Sequence, residues 1–418
     1  MVKLNKVAII GAGPAGLMAA EVLAAKGCSV EIYERKPSMA RKFLLAGRGG
    51  LNLTHSEDLQ NFIRRYGDKA EVLRPMIADF PPDALRDWAH GLGQNTFVGS
   101  SGRVFPESFK ASPLLRAWMA RLRDYGVIFH LNHCWKGWDE DGHLVFDGPD
   151  GCVKKQARAT LLALGGASWP RLGSDGSWVD ILKQYGVMAA PLQASNCGFH
   201  VGWSDLFRQR FAGQPLKSIA VTFQDQRVPG EAMIDEKGIE GGAIYALSSA
   251  LRKQVNQQGY ADLYVDLKPG LNREEVVQRL QVPRGRLSFS NYLKKYLNLS
   301  PIAINFIMEN SDRKQLGSYT PGRLADVIKS CPLRVHAPFS LDRAISSAGG
   351  VRFDMVDDHL MLQAMPGVFV AGEMLDWEAP TGGYLLQASF ATGVAAAKGI
   401  YTFLHDNDGD GDDALTLT

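Results

Sequence analysis

The pattern of apolar and polar positions at the start of the chain predicts a strand, a turn, a helix and a second strand. Leu4 to Ile10 reads LNKVAII, a short β-branched run of the kind found in strands buried on both faces of a parallel sheet. Leu17 to Lys26 is alanine-rich and predicts a helix, and Ser29 to Tyr33 is a second apolar run that carries Glu34 at its end. Together these elements predict a βαβ unit.

A G-x-G-x-x-G motif lies between the first predicted strand and the helix. Gly11 permits a tight turn, Gly13 lets backbone approach a pyrophosphate, and Gly16 allows close packing of helix on strand. The amino end of the helix offers N–H groups and a positive dipole end to phosphates. Glu34 can accept hydrogen bonds from both adenosine ribose hydroxyls, which favours FAD or NAD over NADP. The candidate cofactor-binding residues of this unit are Gly11, Gly13, Pro14, Ala15, Gly16, Glu34 and Arg35.

Two later apolar runs predict strands that return to this unit. They are Ala159 to Leu164 and Gly367 to Ala371, and a helix is predicted after the second, from about Leu385 to Gly399. Both strands end in small residues and so resemble strands of the glutathione-reductase superfamily, in which such a strand passes under the dinucleotide. The candidate contacts that follow the two strands are Gly165, Gly166, Gly372 and Glu373.

The segment between these strands adds one helix and one strand. Pro113 to Tyr125 places large apolar residues at helical spacing, which indicates a core-facing stripe. Val127 to Trp135 is predicted as a strand, and its end near Cys134 would give backbone contacts to adenine. The Cys134 side chain itself is interpreted first as core.

The dinucleotide motifs stop between about Met188 and Pro332, where short strand-like runs alternate with helical ones. We therefore expect an inserted domain that caps the cofactor, because clefts between domains commonly bind ligands. The predicted organisation is a first part of the cofactor domain at 1–187, an inserted β-rich and helical substrate or cap domain at 188–332, a C-terminal part of the cofactor domain at 333–404 and a disordered acidic tail at 405–418.

Charge and cysteine content narrow the class of protein. The 418 residues contain 46 Lys and Arg against 44 Asp and Glu, and a net charge of +2 disfavours a nucleic-acid partner. The five scattered cysteines form no C-x-x-C pair, which favours reduced thiols in a cytoplasmic protein. No run of about 18 uncharged apolar residues predicts a membrane span. We expect neither a metal site nor a Ser-His-Asp site.

Four ordered motifs make the sequence resemble the HI0933-like (YhiN/BaiN-type) family of bacterial NAD(P)/FAD-dependent oxidoreductases, within the glutathione-reductase-like FAD superfamily. The resemblance covers nearly the whole chain. It implies an α/β fold, in which a Rossmann-like, glutathione-reductase-type FAD-binding domain carries an inserted mixed β/α domain. The motifs are Arg41 to Thr54, Gly165 to Pro170 with Gly173 to Gly176, Ser347 to Val351 and the run from Gly372 to Gln387.

The resemblance also implies roles around the FAD. Glu373 would be the partner of the ribityl chain, and the following helix would point its amino end at the flavin pyrimidine. A dipole placed there stabilises the negative charge that develops when a flavin is reduced. Further residues that the resemblance places at the cofactor are Lys42, Gly47, Asn52, Gly383, Tyr384, Leu385 and Gln387.

The chain departs from the family pattern in one of these motifs. Gly47 to Asn52 reads GRGGLN where the family has Gly-Gly-Gly-Arg-Cys-Asn, so Leu51 replaces a cysteine whose role cannot be transferred. No second G-x-G-x-x-G follows a strand, and the resemblance alone implies NAD(P)H as a transient electron donor. Six residues could contact an anionic or aromatic substrate, although a surface arginine or a packed aromatic is the simpler interpretation of each. They are Arg48, Arg103, Trp169, Arg171, Trp377 and Tyr384.

The leading hypothesis is an FAD-dependent oxidoreductase in which the flavin accepts a hydride and passes electrons to a small-molecule substrate of unknown identity. No catalytic acid or base is assigned. A second hypothesis is a nucleic-acid-associated flavoprotein that modifies or senses RNA through basic positions of the insert. A third treats the FAD as structural, in a non-redox binding module. The basic positions in question are Arg284, Arg286, Lys294 and Lys295.

Overall fold

The computed structural model describes residues 6–409, which form two compact units. One unit comprises residues 6–193 together with 346–409, and the inserted unit comprises residues 194–345. The insertion therefore runs from 194 to 345 rather than from 188 to 332. Its end shifts because the strand Cys331–Val335 pairs with Ala261–Asp266 within the inserted unit.

Five parallel strands form the central sheet of the larger unit. The middle strand Lys6–Ile10 pairs with Ala159–Leu162 on one side and with Ser29–Glu34 on the other. The two edge strands are Val368–Val370 and Ile128–Leu131. Because every pairing is parallel, the carboxyl ends of all five strands meet at one edge of the sheet. The predicted α/β Rossmann-like fold is confirmed.

Two helices pack against each other and against this sheet. The first, Pro14–Ala25, follows the glycine turn, and the second is the terminal helix Tyr384–Gly409. A Cβ added to Gly393 of the terminal helix would lie 2.5 Å from the backbone oxygen of Ala15. The glycine therefore allows the two helices to come closer than any side chain would permit.

The terminal helix is longer than the predicted span of Leu385 to Gly399. Gly399 lies inside it, where an added Cβ would be 2.6 Å from the backbone oxygen of His359. This glycine is needed for close packing and does not end the helix, which explains the wrong boundary. Residues 405–409, predicted as disordered tail, are helical, and the rest of that predicted tail, 410–418, lies outside the described residues.

The predicted strand from Val127 to Trp135 is broken in the structure. Ile128–Leu131 joins the parallel sheet, and Asn132 then takes a left-handed conformation with φ of 56°, which turns the chain away. Cys134 therefore begins a strand of a separate antiparallel sheet. The strands of that sheet are Cys134–Trp138, Leu144–Gly148 and Gly151–Lys155.

The remaining elements of the larger unit surround the parallel sheet. A small antiparallel sheet consists of Thr54–His55, Arg103–Pro106 and Thr96–Val98. A further pair of strands consists of Ala189–Ser195 and Ser346–Val351. The other helices are Arg41–Ala46, Leu59–Arg64, Ala70–Asp79, Pro82–Gly91, Ala111–Asp124 and Trp178–Lys183.

The inserted unit has its own sheet and its own buried apolar core. Its six strands lie in the order Phe199–His200, Gly238–Glu240, Gln226–Asp235, Pro215–Phe223, Ala261–Asp266 and Cys331–Val335. Its helices are Asp205–Phe211, Gly242–Tyr245, Ser248–Gln258, Arg273–Leu280, Phe289–Leu297, Pro301–Glu309, Arg313–Leu316 and Pro321–Lys329. Within residues 6–409, no helix combines the length and the apolar character needed to cross a membrane.

Candidate cofactor site

The glycine turn lies at the carboxyl end of the middle strand of the parallel sheet. An added Cβ at Gly11, whose φ is 104°, would lie 2.4 Å from the oxygen of Ala163, and one at Gly16 would lie 2.1 Å from the oxygen of Gly11. These two glycines are required by the protein's own packing. At Gly13, by contrast, a Cβ would meet no atom within 4 Å. The space beside Gly13 is therefore open to a ligand, as the sequence predicts for a pyrophosphate.

Glu34 ties the end of the second strand to the glycine turn. Its carboxylate accepts hydrogen bonds from the amide of Ala12, at 3.1 Å, and from the amide of Lys36, at 2.9 Å. Burial raises the pKa of Glu34 above its usual value, and these two amides oppose that effect. A carboxylate can accept about four hydrogen bonds, so Glu34 retains acceptor capacity for a ligand.

Arg35 and Cys134 lie beside this strand end. The guanidinium of Arg35 forms an ion pair with Asp175, with 2.5 Å between nitrogen and oxygen. Asp175 belongs to the Gly173 to Gly176 motif, so the pair fixes that motif to the second strand. The half-buried thiol of Cys134 lies close enough to Arg35 to interact with it electrostatically.

A network around Glu373 joins four segments that are distant in sequence. One carboxylate oxygen of Glu373 lies 2.7 Å from the Lys42 ammonium and 3.4 Å from the Gly166 amide, and the other accepts the Ser347 amide at 2.9 Å. Lys42 also donates to the hydroxyl of Ser168 at 2.8 Å. Burial favours the neutral acid, but Lys42 and the two amides outweigh it and lower the pKa of Glu373. Glu373 is therefore held as a carboxylate at the edge of the sheet.

Glycines let the same segments approach one another. A Cβ on Gly166 would lie 2.4 Å from the hydroxyl of Ser347, and that hydroxyl accepts hydrogen bonds from the amides of Ala167, at 2.8 Å, and Ser168, at 3.1 Å. Gly372, with φ of 78°, lies against Ala15, where an added Cβ would be 2.8 Å from the Ala15 methyl group. The two late glycine motifs thus converge on the network around Glu373 and on the glycine turn.

The residues at the start of the terminal helix form a second cluster. The hydroxyl of Tyr384 donates to Glu57 at 2.5 Å, and Glu57 also forms a two-pronged ion pair with Arg65, at 2.7 and 3.0 Å. Tyr66 donates to the backbone oxygen of Tyr384 at 2.8 Å, and the ring of His55 stacks on the Tyr384 ring at 5.6 Å. Burial, and then the contact with Glu57, raise the pKa of Tyr384. The hydroxyl of Tyr384, a residue that the resemblance places at the cofactor, is thus used within the protein.

Several buried polar atoms near this helix have no hydrogen-bond partner among the described residues. They include the amide oxygens of Asn52 and Gln387 and the hydroxyl of Thr54. The backbone of Thr54 lies against Gly383, where an added Cβ would be 2.5 Å from the Thr54 Cα. A buried polar group without a partner costs about 1–3 kcal/mol, so such groups normally meet a ligand or water. The chemistry of these atoms is therefore compatible with a polar ligand such as the pyrimidine part of a flavin.

The structure places the remaining predicted contacts as follows. Pro14 begins the first helix, and Leu385 is half-buried in the first turn of the terminal helix. Gly47 is buried, and a Cβ added to it would lie 2.6 Å from the Ala111 methyl group. Trp377 is buried and donates to the oxygen of Gly372, so it belongs to the core and does not face a substrate. The side chain of Arg48 lies outside the described atoms.

Sequence reasoning did not assign several side chains of these clusters. Ser168 and Ser347 lie inside two of the motifs that carry the family resemblance, and their places in those motifs are the signal that could have identified them. Glu57 and Arg65 carry no motif at all. Their role arises only when the chain folds, because Glu57 and Tyr384 are 327 positions apart.

A possible cation site occurs elsewhere in the larger unit. Ligand atoms of Asp139, Asp141 and His143 lie within 4.8 Å of one another. Asp139 is already paired with Lys154 at 2.8 Å and with His143 at 3.4 Å. The expectation of no metal site stays a prediction.

The fold and this site define a dinucleotide-binding protein of the FAD-dependent oxidoreductase class. Residues 5–399 match the family described as the HI0933-like protein Rossmann domain. The chain therefore belongs to the HI0933-like family, which confirms the resemblance found in the sequence. Its cofactor is accordingly FAD.

Three comparisons describe what the chain is similar to. It is 23% identical to the 3-dehydro-bile acid delta(4,6)-reductase of Clostridium scindens, across 94% of this chain and 98% of that protein. It is 22% identical to the ribosomal RNA dihydrouridine synthase of Haemophilus influenzae, across 94% and 97%. The solved structure of 3-ketosteroid delta1-dehydrogenase from Sterolibacterium denitrificans matches with a TM-score of 0.52 at 12% identity, across 95% of this chain and 100% of that one, which shows a shared fold.

The family and its reductase relative confirm the predicted enzyme class.

Proposed function

We propose that this protein reduces a carbon–carbon double bond conjugated to a carbonyl group, with NAD(P)H as the electron donor. The support comes from the names of the two relatives. A delta(4,6)-reductase acts on double bonds of a 3-dehydro bile acid, and dihydrouridine differs from uridine by saturation of one ring double bond. Both products have gained two hydrogens across an electron-poor double bond. The two relatives therefore have a specific type of reaction in common in addition to their family.

We assign the FAD contacts along the carboxyl edge of the parallel sheet. Glu34 would accept the adenosine ribose hydroxyls, with Arg35 and the backbone at Cys134 near the adenine, and the turn from Gly11 to Gly16 would hold the pyrophosphate. The single observation that carries this assignment is the open space beside Gly13. Gly11 and Gly16, on either side of it, have no space for a side chain. The remaining assigned contacts are Lys42, Gly47, Asn52, Gly165, Gly166, Gly372, Glu373, Gly383, Tyr384, Leu385 and Gln387.

FAD, when bound, supplies the hydride acceptor and donor of the reaction. The chain's own residues position it and set the local charge. Because the charge of Glu373 is balanced by Lys42 at 2.7 Å, the carboxylate does not oppose negative charge on a nearby ligand. Of the three hydrogens on the Lys42 ammonium, two are used by Glu373 and Ser168, which leaves one for a ligand atom.

Purified protein with bound FAD tests the proposal directly. Under anaerobic conditions, NADH or NADPH is expected to bleach the visible flavin band, and a conjugated enone is expected to restore it with formation of the saturated ketone. A saturated ketone carrying no double bond is the matched control and should leave the flavin reduced. Bleaching without reoxidation by any conjugated enone or uracil ring would contradict the proposed substrate class, whereas a band that persists would contradict the donor.

A further inference from the structure

The segment 173–178 is fixed to the ends of two strands of the parallel sheet. Asp175 forms its ion pair with Arg35, directly after the second strand. Trp178 donates its indole N–H to the backbone oxygen of Gly165 at 2.9 Å, just beyond the strand on the other side of the middle one. Because these two strands flank the middle strand, the segment links the two strand ends on either side of the glycine turn.

Local hydrogen bonds and close packing hold the shape of this segment. One carboxylate oxygen of Asp175 accepts the amide of Ser177 at 3.2 Å and the hydroxyl of the same residue at 2.8 Å, while the other oxygen carries the ion pair. A Cβ added to Gly176, whose φ is 72°, would lie 2.9 Å from a methyl group of Leu192. The side chain between these anchors, that of Ser174, therefore has a defined position.

Ser174 carries a buried hydroxyl that has no hydrogen-bond partner among the described residues. The residue is 5% exposed. The anchors of the segment are made by Asp175 and Trp178, so they do not need this hydroxyl. A buried hydroxyl without a hydrogen bond is costly, and such groups normally meet a ligand or water. The fold itself therefore gives the hydroxyl of Ser174 no role.

The hydroxyl of Ser174 lies next to the carboxylate of Glu373. A Cβ added to Gly165 would lie 3.0 Å from the hydroxyl oxygen of Ser174 and 3.6 Å from a carboxylate oxygen of Glu373. Gly165 has a φ of 71°, which favours glycine, so no side chain separates the two polar groups. A ligand group bound by Glu373 from this side would lie beside Ser174.

The chemistry of Glu373 selects the part of FAD that fits this position. Glu373 accepts from three protein donors, and a carboxylate can accept about four hydrogen bonds, so capacity for one remains. A carboxylate only accepts, so the ligand group must donate. The hydroxyls of the ribose and of the ribityl chain donate, whereas pyrophosphate oxygens do not. Because the ribose is assigned to Glu34 on the other side of the middle strand, the ribityl chain fits beside Glu373.

We propose that Ser174 donates a hydrogen bond to the ribityl chain of FAD, and that Asp175 and Trp178 position it for this contact. Each ribityl hydroxyl both donates and accepts. Glu373 takes the proton of one such group, and Ser174 supplies a proton to the oxygen of another. The proposal rests on the FAD position assigned above and does not depend on the proposed substrate.

Displacement of FAD by ADP tests this contact on the FAD-loaded protein. ADP shares the adenosine and the pyrophosphate of FAD but lacks the ribityl chain and the flavin. At a fixed concentration of FAD, the ADP concentration that displaces half of the bound flavin therefore reports the contacts that only FAD makes. Ser174→Ala is expected to lower this half-displacing concentration roughly fivefold, the effect of one lost hydrogen bond. Flavin fluorescence anisotropy measures the bound fraction.

Asp175→Asn tests the positioning role of the ion pair. It removes the charge that faces Arg35 but keeps an acceptor for the amide of Ser177. In the otherwise wild-type chain it is expected to lower the half-displacing ADP concentration about twofold. In the Ser174→Ala background it should have no further effect, because Asp175 acts through Ser174. Equal effects in the two backgrounds would overturn the positioning role.

Two control variants separate this contact from other causes of FAD loss. Gly13→Ala should weaken FAD binding but leave the half-displacing ADP concentration unchanged, because its methyl group obstructs the pyrophosphate of both ligands. Ser248→Ala removes a buried hydroxyl of the inserted unit that donates to the backbone oxygen of Tyr245 at 2.8 Å, and it should change neither quantity. Thermal unfolding of each variant identifies any loss of fold.

The outcomes distinguish this contact from the FAD site on which it rests. If Gly13→Ala weakens FAD binding and Ser174→Ala leaves the half-displacing ADP concentration unchanged, the contact is overturned and the assigned FAD site stands. Unchanged FAD binding in Gly13→Ala would overturn both. A fall in Ser248→Ala as large as that in Ser174→Ala would also overturn the contact, because the effect would then not be specific to this segment.

Discussion

The ammonium nitrogen of Lys42 lies 2.7 Å from a carboxylate oxygen of Glu373, although 331 positions separate the two residues. The pair joins a helix near the start of the chain to the turn after the last strand of the parallel sheet. It also neutralises a carboxylate next to two glycine-ended strands. The same contact is therefore structural and electrostatic, and its two roles can be separated by substitution.

Removal of the Lys42 charge should destabilise the protein. Lys42→Met leaves the carboxylate of Glu373 without its counter-charge, and we expect a loss of about 2–4 kcal/mol in the free energy of unfolding together with weaker retention of FAD. The double variant Lys42→Met with Glu373→Gln should recover part of that loss, because no buried charge is left unpaired. Denaturant unfolding with and without FAD measures both effects, and identical losses in the single and double variants would refute the coupling.

Gly13 and Gly16 should respond in opposite ways to the same substitution. Gly13 has an extended backbone, with φ of −86°, and open space beside it, so Gly13→Ala should leave the unfolding free energy of the cofactor-free protein within about 0.5 kcal/mol of wild type. Its methyl group would enter the proposed pyrophosphate site and lower FAD affinity at least roughly tenfold. Gly16→Ala would instead destabilise the fold by about 1–3 kcal/mol. Unchanged FAD affinity in Gly13→Ala would count against the assigned cofactor position.

The parts of this protein that the sequence predicts correctly are those built from neighbouring residues. The turn at Gly11 to Gly16 and the acidic residue at Glu34 belong to one contiguous βαβ unit, so residue types and spacing suffice. Ser347 could not be assigned in this way. Its hydroxyl accepts amides of a segment about 180 positions earlier, and only the assembled sheet brings the two together.

Local signals were misleading where packing determines the role of a residue. Gly399 resembles a helix terminator, yet it lies inside the terminal helix. A glycine is needed there because the backbone of His359 leaves no room for a side chain. Asn132 breaks an apolar run that reads as one continuous strand, since its left-handed backbone turns the chain into a second sheet. In the inserted unit, residues 273–329 contain ten Lys and Arg against five Asp and Glu, an excess that the near-neutral charge of the whole chain does not reveal.

Glu31 should make stability depend on pH in the acid range. Burial opposes its ionisation, but hydrogen bonds from Lys6, Tyr33 and His130 outweigh burial and lower its pKa from 4.5 to about 2. A lowered pKa stabilises the folded state above the unfolded value, and that contribution is lost as pH falls from 4.5 towards 2. We expect Glu31→Gln to cost about 1–2 kcal/mol at neutral pH, after allowance for solvent screening, and the difference from wild type to shrink below pH 4.5.

Urea unfolding at a series of pH values measures this difference. Glu71→Gln is the control, because Glu71 is highly exposed and its ion pair with Arg74 should contribute nothing measurable. A difference between wild type and Glu31→Gln that stays constant, or grows, as pH falls through 4.5 would contradict the assignment.

The hydroxyl of Tyr384 should prove structural, although the residue stands at the start of the helix assigned to the flavin. It donates to Glu57, while Tyr66 donates to the backbone oxygen of Tyr384, so Tyr384→Phe and Tyr66→Phe each remove one buried hydrogen bond from the same cluster. Both variants should lose about 0.5–1.5 kcal/mol of unfolding free energy and keep the wild-type rates of flavin reduction and reoxidation. Thermal unfolding and anaerobic stopped-flow measurements compare them. If Tyr384→Phe alone slowed reoxidation by a conjugated enone while retaining full stability, the hydroxyl would have to reach the substrate, and the cluster with Glu57 would need to open during the reaction.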